Sequence, residues 1–103
     1  MLANNAVIAV HQDPLGSQGR RVHKDGELEV WAKTMRDGSR AVVLLNRGTS
    51  EQQIRVTWEG LGYPAHLRAG VRDLWLGKDF GQSRSHFSAA VASHAVVMVR
   101  VSP

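Results

Sequence analysis

Carboxylates are the first residues in this sequence to test for chemistry, since the chain has nine of them. Hydrolases that use a carboxylate pair hold the two groups across a cleft, about 5–9.5 Å apart. Glu27 and Glu29, at positions i and i+2 of a predicted strand, would stand side by side about 7 Å apart. Their face of the strand is predicted to be exposed, with no cleft between them. We therefore expect no catalytic pair in this chain.

The five histidines do not form a metal-binding motif. None has the spacing of a zinc-binding helix, and the chain has no cysteine. His86 and His94 can approach across the last predicted hairpin, but two ligands without a nearby carboxylate make a weak site. No phosphate-binding loop and no Gly-x-Ser-x-Gly turn occurs. The sequence therefore predicts no metal, no cofactor and no catalytic residue.

The three tryptophans are the remaining candidates for ligand binding. Strand alternation directs Trp58 into the core, and it leaves the direction of Trp75 open. Trp31 alone is predicted to point outward, among charged neighbours. It can lie at a domain interface, be covered by neighbouring side chains, or stack on a sugar ring as a carbohydrate-binding platform.

Turn residues divide the sequence into short segments rich in Val, Leu, Ile, Thr and Trp. Asp25-Gly26 and Asp37-Gly38 are strong hairpin dipeptides. This pattern is typical of short antiparallel strands, so we predict an all-β fold, a Greek-key β-sandwich of about 7–8 strands. Strands are expected at residues 20–24, 27–34, 40–46, 52–58, 71–76, 86–91 and 95–101, with weaker extended segments near Leu67 and Phe80.

Side-chain alternation also predicts an outer face that needs a cover. The segments 41–45 and 95–99 are apolar on both faces, whereas a sandwich covers only the inner face of each sheet. We therefore expect their outer faces to contact another domain or chain. The alternative is that Val and Leu, which favour strands, are tolerated at the surface. The residues expected at this interface are Trp31, Val42, Leu44, Val96 and Met98.

Composition and charge argue against two further classes of function. The net charge is +4, but beyond residues 20–24 the basic residues are scattered singly and no recognition helix accompanies them. We therefore expect no nucleic-acid partner. The longest apolar run near the start, residues 6–10, is too short to span a membrane, so we expect no membrane partner. A length of 103 residues fits one domain.

Several motifs match a known family in collinear order. The segment VIAVHQDPLG at residues 7–16, followed by Gln18-Gly19, resembles the junction between barrel and C-terminal domain in glycoside hydrolase family 27, the α-galactosidases. Two departures are visible: His11 stands where the family usually has Asn, and Ala95 where Gly is common. The latter suggests that the last turn needs no positive φ at Ala95. Further matches are EVWAK (29–33), DGSRAV (37–42), LNRG (45–48), RDLW (72–75) and HAVVM (94–98).

The resemblance implies a division of the chain and a role for it. Residues 1–16 would be a remnant of the catalytic barrel's last segment and the junction, and residues 17–103 the C-terminal β-sandwich domain. It implies a parent enzyme that hydrolyses terminal α-linked galactose from oligosaccharides and glycoconjugates, often secreted or lysosomal. The two catalytic aspartates of the family lie in the (β/α)8 barrel, so none is assigned to this sequence.

Three functions follow from these observations. The first is a non-catalytic domain that packs against the barrel of the same parent chain and stabilises it. The second is an independent carbohydrate-binding module, with Trp31 as its platform. The third is an oligomerisation module, in which a second copy covers the outer apolar face.

Overall fold

The computed structural model of the chain describes residues 19–74 and 76–103, which form an almost entirely β structure. Within these residues, eight antiparallel strands and one short 3₁₀ turn (Glu59–Leu61) are the regular elements. The predicted all-β antiparallel fold is confirmed. The strands are β1 (Arg20–Asp25), β2 (Leu28–Thr34), β3 (Arg40–Asn46), β4 (Gln52–Thr57), β5 (Arg68–Asp73), β6 (Asp79–Arg84), β7 (His86–Val91) and β8 (Ala95–Ser102).

The first two hairpins turn at the glycines that the sequence indicates. Gly26 has φ of 59° and Gly38 has φ of 89°, in the left-handed region that glycine adopts without strain. The first turn is tight, since Asp25 and Leu28 on either side of it are paired. These turns place β1, β2 and β3 side by side, so the outward side chains of neighbouring strands align.

The strands form two layers. Six of them make one sheet in the order β1-β2-β3-β8-β5-β6, and β4 and β7 make a small second sheet. The chain passes from the large sheet to the small one and back twice, through β4 and through β7, which are crossovers of the Greek-key kind. As a result β8, the last strand, lies between β3 and β5 near the middle of the large sheet.

The hydrophobic core lies between the two layers and takes alternate side chains from every strand except β6. Trp58 is its largest member; it is fully buried, and its Nε1 donates a 3.1 Å hydrogen bond to the carbonyl oxygen of Ser83. This confirms that Trp58 belongs to the core. Asn46 is also fully buried, and its side-chain amide donates to the carbonyl oxygens of Ser50 and Val91. The buried amide is therefore satisfied.

Strands β5 and β6 differ from the predicted pattern. β5 begins at Arg68, earlier than the sequence predicts, and Leu67 lies in the turn before it. β6 is a complete strand, where only a weak extended segment near Phe80 is predicted. Its side chains are mostly exposed, so it lacks the apolar alternation that identifies a half-buried strand. Its pairing with β5 holds it in the sheet instead.

The turn before β8 explains why Ala95 is accepted. His94 has φ of 55°, whereas Ala95 already belongs to the strand. The left-handed position therefore falls on histidine, a residue type that adopts it more readily than most non-glycine residues. The inference that Ala95 needs no positive φ is confirmed.

Candidate interaction surface

The six-stranded sheet has an apolar patch on the side that the small sheet leaves uncovered. We call this patch the outer face, and it consists of Trp31, Val43, Leu45, Val96 and Met98. Val43 pairs with both Trp31 and Met98, while Leu45 pairs with Val96. Directly paired residues point to the same side with Cβ atoms about 4.5–5.5 Å apart, so the five side chains are contiguous. Val96 is 47% exposed and the other four are half-buried.

Two of the predicted interface residues lie on the opposite side of β3. Val42 and Leu44 are fully buried in the core between the sheets, so their assignment to an outer interface is wrong. Val43 and Leu45, which alternate with them, take the outward positions. Trp31, Val96 and Met98 lie on the side where the sequence places them. Whether they contact a partner remains a prediction.

Trp31 is held by a carboxylate on its own strand. Its Nε1 donates a 2.8 Å hydrogen bond to Glu29 Oε1, and Arg47 Nε lies 3.0 Å from Glu29 Oε2. Glu29 is only 5% exposed, which corrects the expectation of an exposed carboxylate. The hydrogen bond from Trp31, assisted by the positive charge of Arg47, lowers the pKa of Glu29 although burial opposes this. Trp31 therefore presents only apolar ring surface to the outside.

A small cavity of about 150 Å³ opens on the outer face beside the Trp31 ring. Its walls come from β2, β3 and β8 and from the first described residue, Gly19. Lys33 contributes the one charged side chain among the lining residues. The rest of the lining is Gly19, Trp31, Ala32, Ala41, Val43 and Met98.

Loops of the chain itself cover one end of the outer face. Met35, from the loop between β2 and β3, and Leu74, which follows β5, pack with Ala41 and are buried. Met98 packs against this small cluster, so one side of Met98 is covered from within the chain. Residues 19–74 and 76–103 leave the middle of the face, around Trp31 and Val43, partly exposed.

The covering loop is fastened to β8 by polar contacts. Arg100 Nη2 lies 3.0 Å from Asp37 Oδ2, and Arg100 Nε donates a 3.0 Å hydrogen bond to Ser39 Oγ. Ser39 Oγ in turn donates to Asp37 Oδ1 at 2.6 Å. Hydrogen bonds from Ser39, with the charge of Arg100 as a smaller contribution, lower the pKa of Asp37. The loop that carries Met35 is therefore pre-ordered over the end of the face.

Basic side chains surround the apolar patch. Arg21 pairs with Trp31 across β1 and β2, and Lys24 pairs with Glu29. On the other side, Arg100 pairs with Arg72 across β8 and β5. At these outward positions the cations are Arg21, Lys24, Lys33, Arg72 and Arg100, whereas the carboxylates are Glu29 and Asp79.

The other candidates for chemistry are not brought together. Glu27 is exposed beside the first turn while Glu29 is buried against Trp31, so they do not face each other across a cleft. His86 is the first residue of β7, whereas His94 lies in the turn beyond the other end of that strand. The expected approach of these two histidines is therefore not seen. The described residues contain no group of three potential metal ligands. Nor do they contain a helix long and apolar enough to cross a membrane.

Comparison with known proteins defines the class of domain. The family described as the alpha galactosidase C-terminal beta sandwich domain matches residues 25–101. Among solved structures, α-galactosidase I from Mortierella vinacea superposes with a TM-score of 0.90 at 28% identity, covering 95% of this chain and 26% of that one. A GH27 β-L-arabinopyranosidase from Geobacillus stearothermophilus gives 0.90 at 26% identity, covering 99% and 22%. The fold is therefore that of a glycoside hydrolase β-sandwich domain.

Curated relatives support the same assignment from sequence. The α-galactosidase of Oryza sativa subsp. japonica is 39% identical over 103 residues, all of this chain and 24% of its own length. The α-galactosidase of Coffea arabica is 40% identical over 103 residues, all of this chain and 27% of its own. This chain belongs to the α-galactosidase C-terminal β-sandwich family. It spans about a quarter of the length of these relatives.

Proposed function

We propose that this chain is a non-catalytic domain that packs against the (β/α)8 barrel of an α-galactosidase-like glycoside hydrolase and stabilises it. The parent enzyme would hydrolyse terminal α-linked galactose from oligosaccharides and glycoconjugates. The observation that carries the proposal is the outer face: an apolar patch on the central strands of the large sheet, left uncovered by the small sheet. A partner that buried this patch would remove apolar area from water.

The relatives supply the rest of the argument. The α-galactosidases of rice and coffee extend well beyond the region that matches this chain, since the match is 24% and 27% of their lengths. A barrel in the remaining part would be the partner that the outer face requires. The choice between galactose and related sugars would then lie in the barrel, where enzymes of that fold place their active sites.

A chimera tests this proposal. The quarter of the rice α-galactosidase that matches is replaced by this chain, and hydrolysis of an aryl α-galactoside is measured for the chimera and for the chain alone. We expect the chimera to be active and the chain alone to be inactive. Turnover by the pure chain would refute the non-catalytic role.

The contact itself is tested by thermal unfolding of the same two proteins. Val43→Asp places a charge in the middle of the outer face. It should therefore lower the midpoint temperature of unfolding more for the chimera than for the chain alone. Gln53→Asp, an exposed position on β4, is the matched control and should affect both equally. Equal shifts for Val43→Asp in the two proteins would contradict packing through this face.

A carbohydrate-binding module is the second candidate, favoured by the partly exposed ring of Trp31. It has less support because Nε1 of that ring is already bonded to Glu29, and the adjoining cavity is lined mainly by apolar groups. Galactose and methyl α-galactoside are titrated while tryptophan fluorescence is recorded, with a galactose-binding lectin as the positive control. A saturable change in the wild-type chain that Trp31→Ala abolishes would favour this function.

A further inference from the structure

We propose that the cavity beside Trp31 receives a single apolar side chain from an acidic surface of the partner domain. This inference rests on the proposed function, and it names the chemistry of the surface that the outer face binds. Two separate observations carry it: the lining and size of the cavity, and the sign of the charges around it.

The lining of the cavity selects an apolar group. Its volume is about 150 Å³, and a cavity of about 150 Å³ with apolar walls accommodates a group of benzene size. The indole Nε1 of Trp31 is bonded to Glu29, so the ring offers no free donor. A sugar hydroxyl placed here would find only Lys33 among the lining side chains to bond with, and unmade hydrogen bonds of buried groups are costly. The side chain of a leucine or phenylalanine meets no such penalty.

The rim of the cavity selects a negative surface. Arg21 is paired with Trp31 and Lys24 with Glu29 across β1 and β2, whereas Arg100, beyond Ala41 on β8, is already ion-paired with Asp37. Glu29, the carboxylate closest to Trp31, is already matched by Arg47. Carboxylates on the partner would therefore be attracted chiefly to the β1 side of the rim, which favours both encounter and orientation.

The same charges disfavour a second copy of this chain as the occupant. A two-fold contact through the outer face would bring the same patch of both copies together, including the two sets of Arg21, Lys24 and Arg72. Like charges opposed in this way disfavour an interface. The occupant is thus a surface of different composition, and not the outer face of another copy.

The charge argument is tested by reversing the charge of Arg21, both in the chimera with the rice enzyme and in the chain alone. Arg21→Glu should lower the thermal midpoint of the chimera by more than about 2 °C beyond its effect on the chain alone. Arg55→Glu makes the same change on the exposed surface of β4 and should shift both proteins equally. The extra effect of Arg21→Glu should shrink at 1 M NaCl, where charges are screened within about 3 Å.

The cavity argument is tested by filling it. Val43→Phe places a ring in the cavity, so it should lower the midpoint of the chimera while leaving that of the chain alone unchanged or raised. Ala90→Phe, an exposed outward position on β7, is the control and should not separate the two proteins. A Val43→Phe chimera as stable as its parent, or equal shifts for Arg21→Glu and Arg55→Glu, would overturn the inference.

The two proposals fail in different ways. If the sandwich and the rest of the chimera unfold independently, with the midpoint of the isolated chain retained, packing against a barrel is rejected and the inference with it. If unfolding is coupled but insensitive to the charge and cavity variants, the domain packs through the face and only the inference is rejected.

Discussion

The two outer surfaces of this sandwich have opposite character, although the same alternation of side chains builds both. On the small sheet, the outward pairs are polar or small: Gln53 with Ala90, Arg55 with Ser88, and Thr57 with His86. On the large sheet, the middle outward pairs of β3 and β8 are apolar: Val43 with Met98 and Leu45 with Val96. The small sheet has an apolar face toward the core and a polar face toward water, whereas the central strands of the large sheet carry apolar side chains on both faces.

This difference separates stability of the fold from association. Side chains between the sheets stabilise the chain alone, because they are buried only when both layers form. Side chains on the outer face gain less from folding than those of the core, since they stay partly exposed in the folded chain. Under the proposed function, their apolar character is explained by contact with a neighbouring domain.

Leu44 and Leu45 offer the largest expected contrast, because they are the same residue type at adjacent positions on β3. Leu44 is fully buried and Leu45 is half-buried on the outer face. We expect Leu44→Ala to lower the free energy of unfolding of the chain alone by about 2–5 kcal/mol. Leu45→Ala should cost about 1 kcal/mol or less. Denaturant unfolding of the two variants measures both; similar losses would mean that the outer face is already part of the core.

Glu29 gives an intermediate, pH-dependent effect. Its pKa is lower in the folded chain than the ordinary value of 4.5, chiefly through the hydrogen bond from Trp31. Ionised Glu29 therefore stabilises the fold above about pH 4.5, and this stabilisation is lost as the pH falls through the folded pKa. The difference in unfolding free energy between wild type and Glu29→Gln should accordingly be larger at pH 7 than at pH 3.

Glu51→Gln serves as the control for this measurement, because Glu51 is exposed before β4. Its effect on unfolding should be small at both pH values. A Glu29→Gln difference that is the same at pH 7 and pH 3 would show that the carboxylate does not hold Trp31 through its charge.

The smallest effects are expected on the outer surface of the small sheet. Arg55→Ser, at an exposed position whose partner is Ser88, should change the free energy of unfolding by less than about 0.5 kcal/mol. The same variant should leave the chimera unaffected relative to the chain alone. A loss comparable to that of Leu44→Ala would remove the distinction between the two surfaces.

Much of the fold was predictable because turns and alternation are local properties. Two Asp-Gly turns, the strand segments and the inward direction of Trp58 all follow from patterns a few residues long. β6 was not fully predicted because its mostly exposed residues show no apolar alternation. The pairing with β5 that holds it in the sheet leaves no apolar pattern within β6 itself.

The error at Val42 and Leu44 has a clear physical origin. β3 is apolar on both faces, so alternation alone does not say which face turns inward. The signal lay in the neighbouring strand: Val30 of β2 faces the core, and the Asp37-Gly38 turn pairs Val30 with Leu44. The register of the β2–β3 hairpin therefore shows which side chains of β3 point inward, because β2 has clear alternation and β3 does not.

Sequence by itself determined that this chain is an antiparallel β-sandwich with two strands, β2 and β4, whose two faces are distinct. Segments that are apolar on both sides also indicated that the sheet has an apolar outer face in addition to the core. Only the tertiary structure decided which residues form that face, because insertion of β8 beside β3 aligns Met98 and Val96 with Val43 and Leu45. Likewise, Arg47 reaches Glu29 only after the β2–β3 hairpin closes, since the two residues are distant along the chain and adjacent in space.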